Sequence, residues 1–286
     1  MTGRLLPWTM GNAAWNMAVD EAVLISYSMG KSPPTLRFYG WAPPALSFGC
    51  FQDPPSVQKR AVYREKGIDW VKRPSGGRAV FHHDELTYSF VTGARDGFHG
   101  PVLADYQRIA HGLKKGFSLL GLQVELAETP TSSSRLPSSA CFASRSWYEL
   151  TCGGRKLVGS AQVRRVHALL QHGSIPFTFD AGVLLNLLEE SSPSPAAIAK
   201  LQQRIIGLQE ALGFYPERQT VISALQQGLG DELGIEWQEM PLTAEEVELA
   251  QRLAREKYAH PAWNETRGVR SWENRLNLTE MEGESG

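Results

Sequence analysis

The chain has 286 residues, 42% of them apolar, enough to bury one large core, or a core with a smaller satellite, without disulfide staples. A formal net charge of −1 excludes the global positive field of a nucleic-acid binder, and no unbroken apolar run reads as a signal peptide or a membrane span. Cys50, Cys141 and Cys152 form no C-x-x-C pair, which argues against a zinc site or a disulfide scaffold. No metal or other cofactor is expected, and a soluble, cytoplasmic monomer is.

After a short start, Asn16 to Met29 predicts a helix, with Met17, Val19, Ala22, Val23 and Ile25 as apolar positions and Gly30 as its stop. Short strand-like runs follow at Thr35 to Tyr39, Ala45 to Phe51, Asp69 to Arg73, Arg78 to His82 and Leu86 to Val91, each bounded by Gly, Pro or Asp. Tyr106, Ile109, Leu113, Phe117 and Leu120 fall at helical spacing up to Gly121, and Val124 to Leu126 resumes extended chain. Glu128 to Ser139 turns to Thr, Ser and Pro and reads as a mobile surface loop. Trp147 to Cys152 and Lys156 to Gln162 then predict a hairpin about Gly153-Gly154, with His167 to Phe177 as a further strand.

Beyond Asp180 the helical segments are Val183 to Glu190, Pro195 to Leu212, Arg218 to Leu233 and Thr243 to Tyr258. The expected class is α+β, a mixed sheet flanked by helices: residues 1–180 form the main catalytic part, 181–272 a helical part packed on it, and 273–286 a polar, disordered tail. The basic pairs Lys59-Arg60, Lys72-Arg73, Lys114-Lys115 and Arg164-Arg165 read either as solvated charge or as docking points for an acidic protein.

Three stretches could carry chemistry. In the first, Arg73-Pro74-Ser75-Gly76-Gly77-Arg78 leads to His82; the glycines let backbone N–H groups approach an oxygen, although such a run is more often an ordinary turn. It lacks the spacing of a phosphate-binding P-loop. The second is Ser138-Ser139-Ala140-Cys141-Phe142, where the loop meets the hairpin and a thiol could meet a large thioester. On position alone a structural Cys141 keeps the edge, because catalytic cysteines are a minority; Cys50 reads as core and Cys152 as either half-exposed or packed. The third is Lys156 to Gln162, holding Gly159, Ser160 and Ala161, followed by Gln171-His172-Gly173-Ser174-Ile175. A lysine in that apolar strand meets an anion or an acyl carbonyl, or else snorkels to the surface; His172 equally suits a satisfied core histidine.

These stretches, in this order, resemble the biotin/lipoate ligase superfamily and its cysteine-using octanoyltransferase branch of the LipM type. The likeness runs from Asn16-Met17-Ala18-Val19-Asp20-Glu21-Ala22 through Arg37 to Trp41, Arg73 to Ser89, Cys141-Phe142, Ser146 to Leu150, Lys156 to Gln162 and Gln171 to Ile175, to Lys257-Tyr258 and Trp263-Asn264. The resemblance implies a mixed sheet flanked by helices, Cys141 as nucleophile, and Lys156 with Gly76-Gly77 along the acyl pocket. Arg73, Ser75, Arg78, His82, Gly159, Ser160, Ala161, His172 and Gly173 are the further substrate-binding candidates it points to. It also implies octanoyl-acyl carrier protein as donor and a lipoyl domain or the glycine-cleavage H protein as acceptor. Arg78 stands where nucleotide-using ligases tend to carry a third glycine, which favours transfer without ATP. The alternatives are transfer between lipoyl domains, ATP-dependent ligation of free lipoate, and a non-catalytic binder on the same fold.

Overall fold

A computed structural model describes residues 1–127 and 149–266. Its frame is an eight-stranded mixed sheet. One edge is β11 (Glu236–Glu239), followed by β1 (Thr2–Gly11), β2 (Thr35–Trp41), β6 (Glu85–Gly93), β10 (Ala168–Pro176), β9 (Arg155–Arg165), β8 (Glu149–Cys152) and β7 (Glu125–Ala127). Only the β11–β1–β2 pairs are parallel. A second sheet of three short strands, in the order β4 (Asp69–Lys72), β3 (Ala45–Phe48), β5 (Val80–His82), stands beside it.

Alternation along β2 shows how the large sheet divides two cores. Leu36 and Phe38 join Tyr88 and Phe90 of β6 on the face covered by α3 (Val102–Leu119) and α7 (Arg218–Leu233), whereas Tyr39 and Trp41 meet α1 (Ala13–Ser28) and α8 (Ala244–Leu253) on the other. The α1 helix starts three residues before its expected position, because the Asn12 side chain caps it by accepting from the Trp15 N–H. It is buried nearly all round, including Asn16, Asp20 and Glu21. Ionised groups buried there need partners. The Glu21 carboxylate takes both oxygens to Lys257 Nζ at 2.7 Å, with the Tyr258 hydroxyl and the Arg165 guanidinium also upon it.

Several elements depart from the sequence expectation. Strand β1 lies in the short start to which the sequence assigned no element; it carries Pro7 and pairs with β2 through a register shift between Leu6 and Thr9, which accommodates the missing N–H. Helix α2 (Val57–Glu65), capped by Ser56, and the polar strand β11 were also not anticipated. Pro195 to Leu212 is not one helix but two, α5 (Pro195–Gln202) and α6 (Leu208–Leu212). Between them the chain lies extended on β9: the Lys156 N–H donates to Arg204 O at 2.8 Å and the Ile206 N–H donates to Lys156 O at 3.0 Å. Strand β3 ends at Phe48, so Cys50 is buried just beyond the strand rather than within it.

The hairpin between β8 and β9 turns on Gly153 and Gly154 at φ 56° and 74°, both in the region that favours glycine. After Asp180, which caps α4 (Ala181–Leu188) by accepting from the Val183 N–H, the chain also builds the β11 edge of the large sheet. Two basic pairs are not docking charge. Lys72 and Arg73 are buried, and Arg164 and Arg165 pair with Asp105 and Glu21. No described helix is long and apolar enough to cross a membrane.

Helices α3 and α7 approach closely over Gly112, Gly116 and Gly228. A Cβ at residue 228 would lie 2.1 Å from Gly116 N and 2.6 Å from Gly112 O, against backbone that cannot rotate away. Gly228→Ala is therefore expected to destabilise the fold by about 3 kcal/mol, the upper end of overpacking penalties, as read from urea unfolding.

Candidate active site

Arg73 sits at the end of β4 with its guanidinium buried, and its donors radiate into the loop that follows. Nη2 donates to Gly76 O at 2.7 Å and to Arg78 O at 2.8 Å, which holds the Ser75–Arg78 turn closed; Gly77, at φ 90°, completes it. Gly49 must be glycine for the same approach, since a Cβ there would lie 2.0 Å from Gly77 O.

The other donors of Arg73 reach two serines, and each serine meets a histidine. Nε donates to Ser75 Oγ at 3.2 Å, and Ser75 Oγ lies 2.6 Å from His172 Nε2. Nη1 donates to Ser47 Oγ at 3.2 Å, and Ser47 Oγ lies 2.8 Å from His82 Nε2. A guanidinium can only donate, so each hydroxyl accepts from Arg73 and turns its own hydrogen toward imidazole. A ring that takes that hydrogen at Nε2 carries its own proton on Nδ1. His172 Nδ1 then faces Asp20 Oδ2 at 3.3 Å, and His82 Nδ1 lies 3.4 Å from Glu85 Oε1.

The two carboxylates are held differently. Burial opposes ionisation of Asp20, but the bond from His172 and the Arg37 guanidinium at 2.8 Å outweigh it and keep its carboxyl below the usual carboxylate range; Tyr39 and Ser89 also donate to it. Glu85 accepts only from Thr87 Oγ1, at 2.6 Å, among the hydrogen bonds of the described residues. Burial pushes the His82 imidazole below its ordinary pKa, against the opposing pull of Glu85, and the Trp41 ring stacks on it at 4.0 Å.

Arg73, His82, Gly159, Ser160, Ala161, His172 and Gly173 come together on one cleft, walled further by Met17, Tyr39, Trp41, Val80 and Thr87. Gly173 is required by close approach: a Cβ would lie 2.6 Å from both Ser160 Oγ and the Tyr88 ring. The Ser160 hydroxyl is turned to Tyr88 OH at 2.8 Å, and burial raises that phenol to about 12. Ser75 stands behind His172, and Gly76, Gly77 and Arg78 form the clamped turn rather than the cleft wall. Lys156 is also off that wall. It is not a surface lysine but a buried one, bound to Glu149 Oε1 at 2.6 Å, where β9 carries one extra residue against β8. Cys141 lies outside the described residues.

Sequence reasoning missed Met17, Asp20, Tyr39, Trp41 and Ser47 as parts of this site. The signal available was Asp20: a carboxylate on a helix that is buried nearly all round needs a buried partner.

Comparison with known proteins identifies the family. Residues 12–230 match the lipoyl protein ligase A/B catalytic domain family. Octanoyltransferase LipM of Kyrpidia tusciae is 41% identical over 92% of this chain and 98% of its own length, and that of Moorella thermoacetica 39% identical over 92% and 97%. A crystal structure of lipoate-protein ligase A bound with ATP superposes with a TM-score of 0.75 at 25% identity, covering 92% of this chain and 98% of the other. The chain thus belongs to the lipoyl protein ligase A/B catalytic domain family.

Proposed function

We propose that this protein is an octanoyltransferase of lipoate biosynthesis, carrying the acyl group from acyl carrier protein through a thioester on Cys141 to a lysine of a lipoyl domain or of the glycine-cleavage H protein. The observation that carries the reading is near-full-length identity of about two residues in five with octanoyltransferases. The first step attacks the donor thioester with the Cys141 thiolate: one S–C bond forms, the other breaks, and the carrier leaves as a thiolate that takes up the proton Cys141 gave up, so no ATP is consumed. In the second, the lysine amine attacks the acyl carbon and Cys141 leaves, a downhill exchange of thioester for amide.

The cleft suits the acyl chain, with Met17, Tyr39, Trp41 and Val80 as apolar wall. Burying roughly seven carbons at about 0.8 kcal/mol each contributes about 5 kcal/mol to holding it. Lys156 stands beside Glu149, eight positions after Cys141 in sequence, and its ammonium would stabilise the thiolate or the acyl oxygen only by sharing itself with that carboxylate.

The test is intact mass after exposure to octanoyl-acyl carrier protein without ATP, with Cys141→Ala alongside. An octanoyl adduct on the wild type and none on the variant is the expected result. No adduct, with an adenylate formed once ATP and a free acid are supplied, would replace this reading by ligation.

A further inference from the structure

A second cleft opens beside the first; Ser174 lines both. Its walls combine the apolar side chains of Phe81, Phe179, Val183 and Leu184 with the carboxylates of Asp84, Glu85 and Asp180 and the His83 imidazole, and no Lys or Arg among the described residues lines it. Asp84 is engaged by the hydroxyls of Thr178 and Tyr215, and Asp180 caps α4. Glu85 differs. It is 5% exposed, its Oε1 accepts from Thr87, and its Oε2 is buried with no hydrogen-bond partner among the described residues. A desolvated carboxylate oxygen without a donor is unfavourable and calls for one.

We infer that this second cleft admits the acceptor lysine, its four methylenes against the apolar walls and its ammonium on Glu85 Oε2. The occupant is argued from the chemistry of the walls. A fatty acyl chain would bring no donor for Glu85 and would desolvate three carboxylates, whereas an alkylammonium satisfies both apolar wall and acid. The position is right as well: Glu85 Oε1 is 3.4 Å from His82 Nδ1, and His82 lines the first cleft, so an amine on Glu85 stands at the boundary with the acyl site. Two protons leave the nitrogen on transfer, one to the Glu85 carboxylate before attack and one to the departing thiolate, as the N–C bond forms and the C–S bond breaks.

This inference rests on the transferase reading, and the two half-reactions separate them. Acyl-enzyme formation is followed by intact mass; the acyl-enzyme is then offered either apo-lipoyl domain or hydroxylamine, which is small and uncharged at neutral pH. Val183→Trp, which fills the mouth from an exposed position on α4, is expected to acylate and to be discharged by hydroxylamine at the wild-type rate, and to lose transfer to the lipoyl domain. Glu85→Gln also touches His82, so it is read by the ratio of the two discharges of its acyl-enzyme: transfer to the lipoyl domain should fall roughly 10- to 100-fold relative to discharge by hydroxylamine, the loss of one charge-assisted hydrogen bond. Wild-type transfer to lysine in either variant overturns the inference, and so does a parallel loss with hydroxylamine, which would mark structural damage. A wild type that never forms the acyl-enzyme overturns the transferase reading and this inference with it.

Discussion

Glu21→Ala is expected to destabilise the protein by about 3–5 kcal/mol, the usual penalty for removing one member of a buried ionic cluster. Glu21 is fully buried in α1 and takes Lys257 Nζ on both oxygens at 2.7 Å, together with Tyr258 OH and the Arg165 guanidinium. Deleting the carboxylate takes from the buried Lys257 and the half-buried Arg165 the anion they share, and loosens Ala254–Tyr258 from α1. Burial opposes the charge on Glu21, but Lys257 and Arg165 more than offset it and hold its pKa below the ordinary 4.5. A depressed carboxyl adds stability that is fully present above 4.5 and is lost as pH falls from there toward the lower folded value. Urea unfolding across that range should show the acid-side loss in the wild type and a shallower one in Glu21→Gln. An unchanged unfolding midpoint in Glu21→Ala would remove the cluster from the stability of the fold.

What the sequence made legible follows from how local each signal was. Arg218 to Leu233 was placed to the residue, because its apolar spacing is sustained and Gly234 stops it at φ 66°. The Gly153-Gly154 hairpin was equally local. Strand β1 and the break between α5 and α6 depend on pairing with chain far away, Leu6 with Arg37 and Ile206 with Lys156, and nothing in the immediate residues announces it. The candidate site divides in the same way. Its histidines and glycines sit in dense motifs, whereas Asp20 and Ser47 matter only because α1 and β3 deliver them to His172 and His82. The C-terminal Trp263 and Asn264 make the same point: their side chains close the edge of β4, Trp263 Nε1 donating to Lys72 O at 2.6 Å and Asn264 Oδ1 accepting from Lys72 N at 2.8 Å.

Arg73→Lys, conservative in charge, is expected to lower kcat/KM for octanoyl transfer about 100-fold, the scale set by a misplacement of roughly 1 Å in a positioned site. The reason is the fork. Arg73 serves Ser75, Ser47, Gly76 O and Arg78 O at once, and an ammonium on a flexible stem cannot reach four acceptors on two sides. The serines then lose the donor that turns their hydrogens toward His172 and His82, and the turn loses the anchor of its two carbonyls. Nitrogen chemical shifts of the two imidazoles separate this from a general loss of fold. In the wild type the Nε2 of both rings should accept from serine and leave the proton on Nδ1, and in Arg73→Lys the tautomers should mix while the unfolding midpoint moves modestly. Retained activity with unmixed tautomers would mean that the serines are oriented without Arg73, and the two histidines would then owe their tautomers to Asp20 and Glu85 alone.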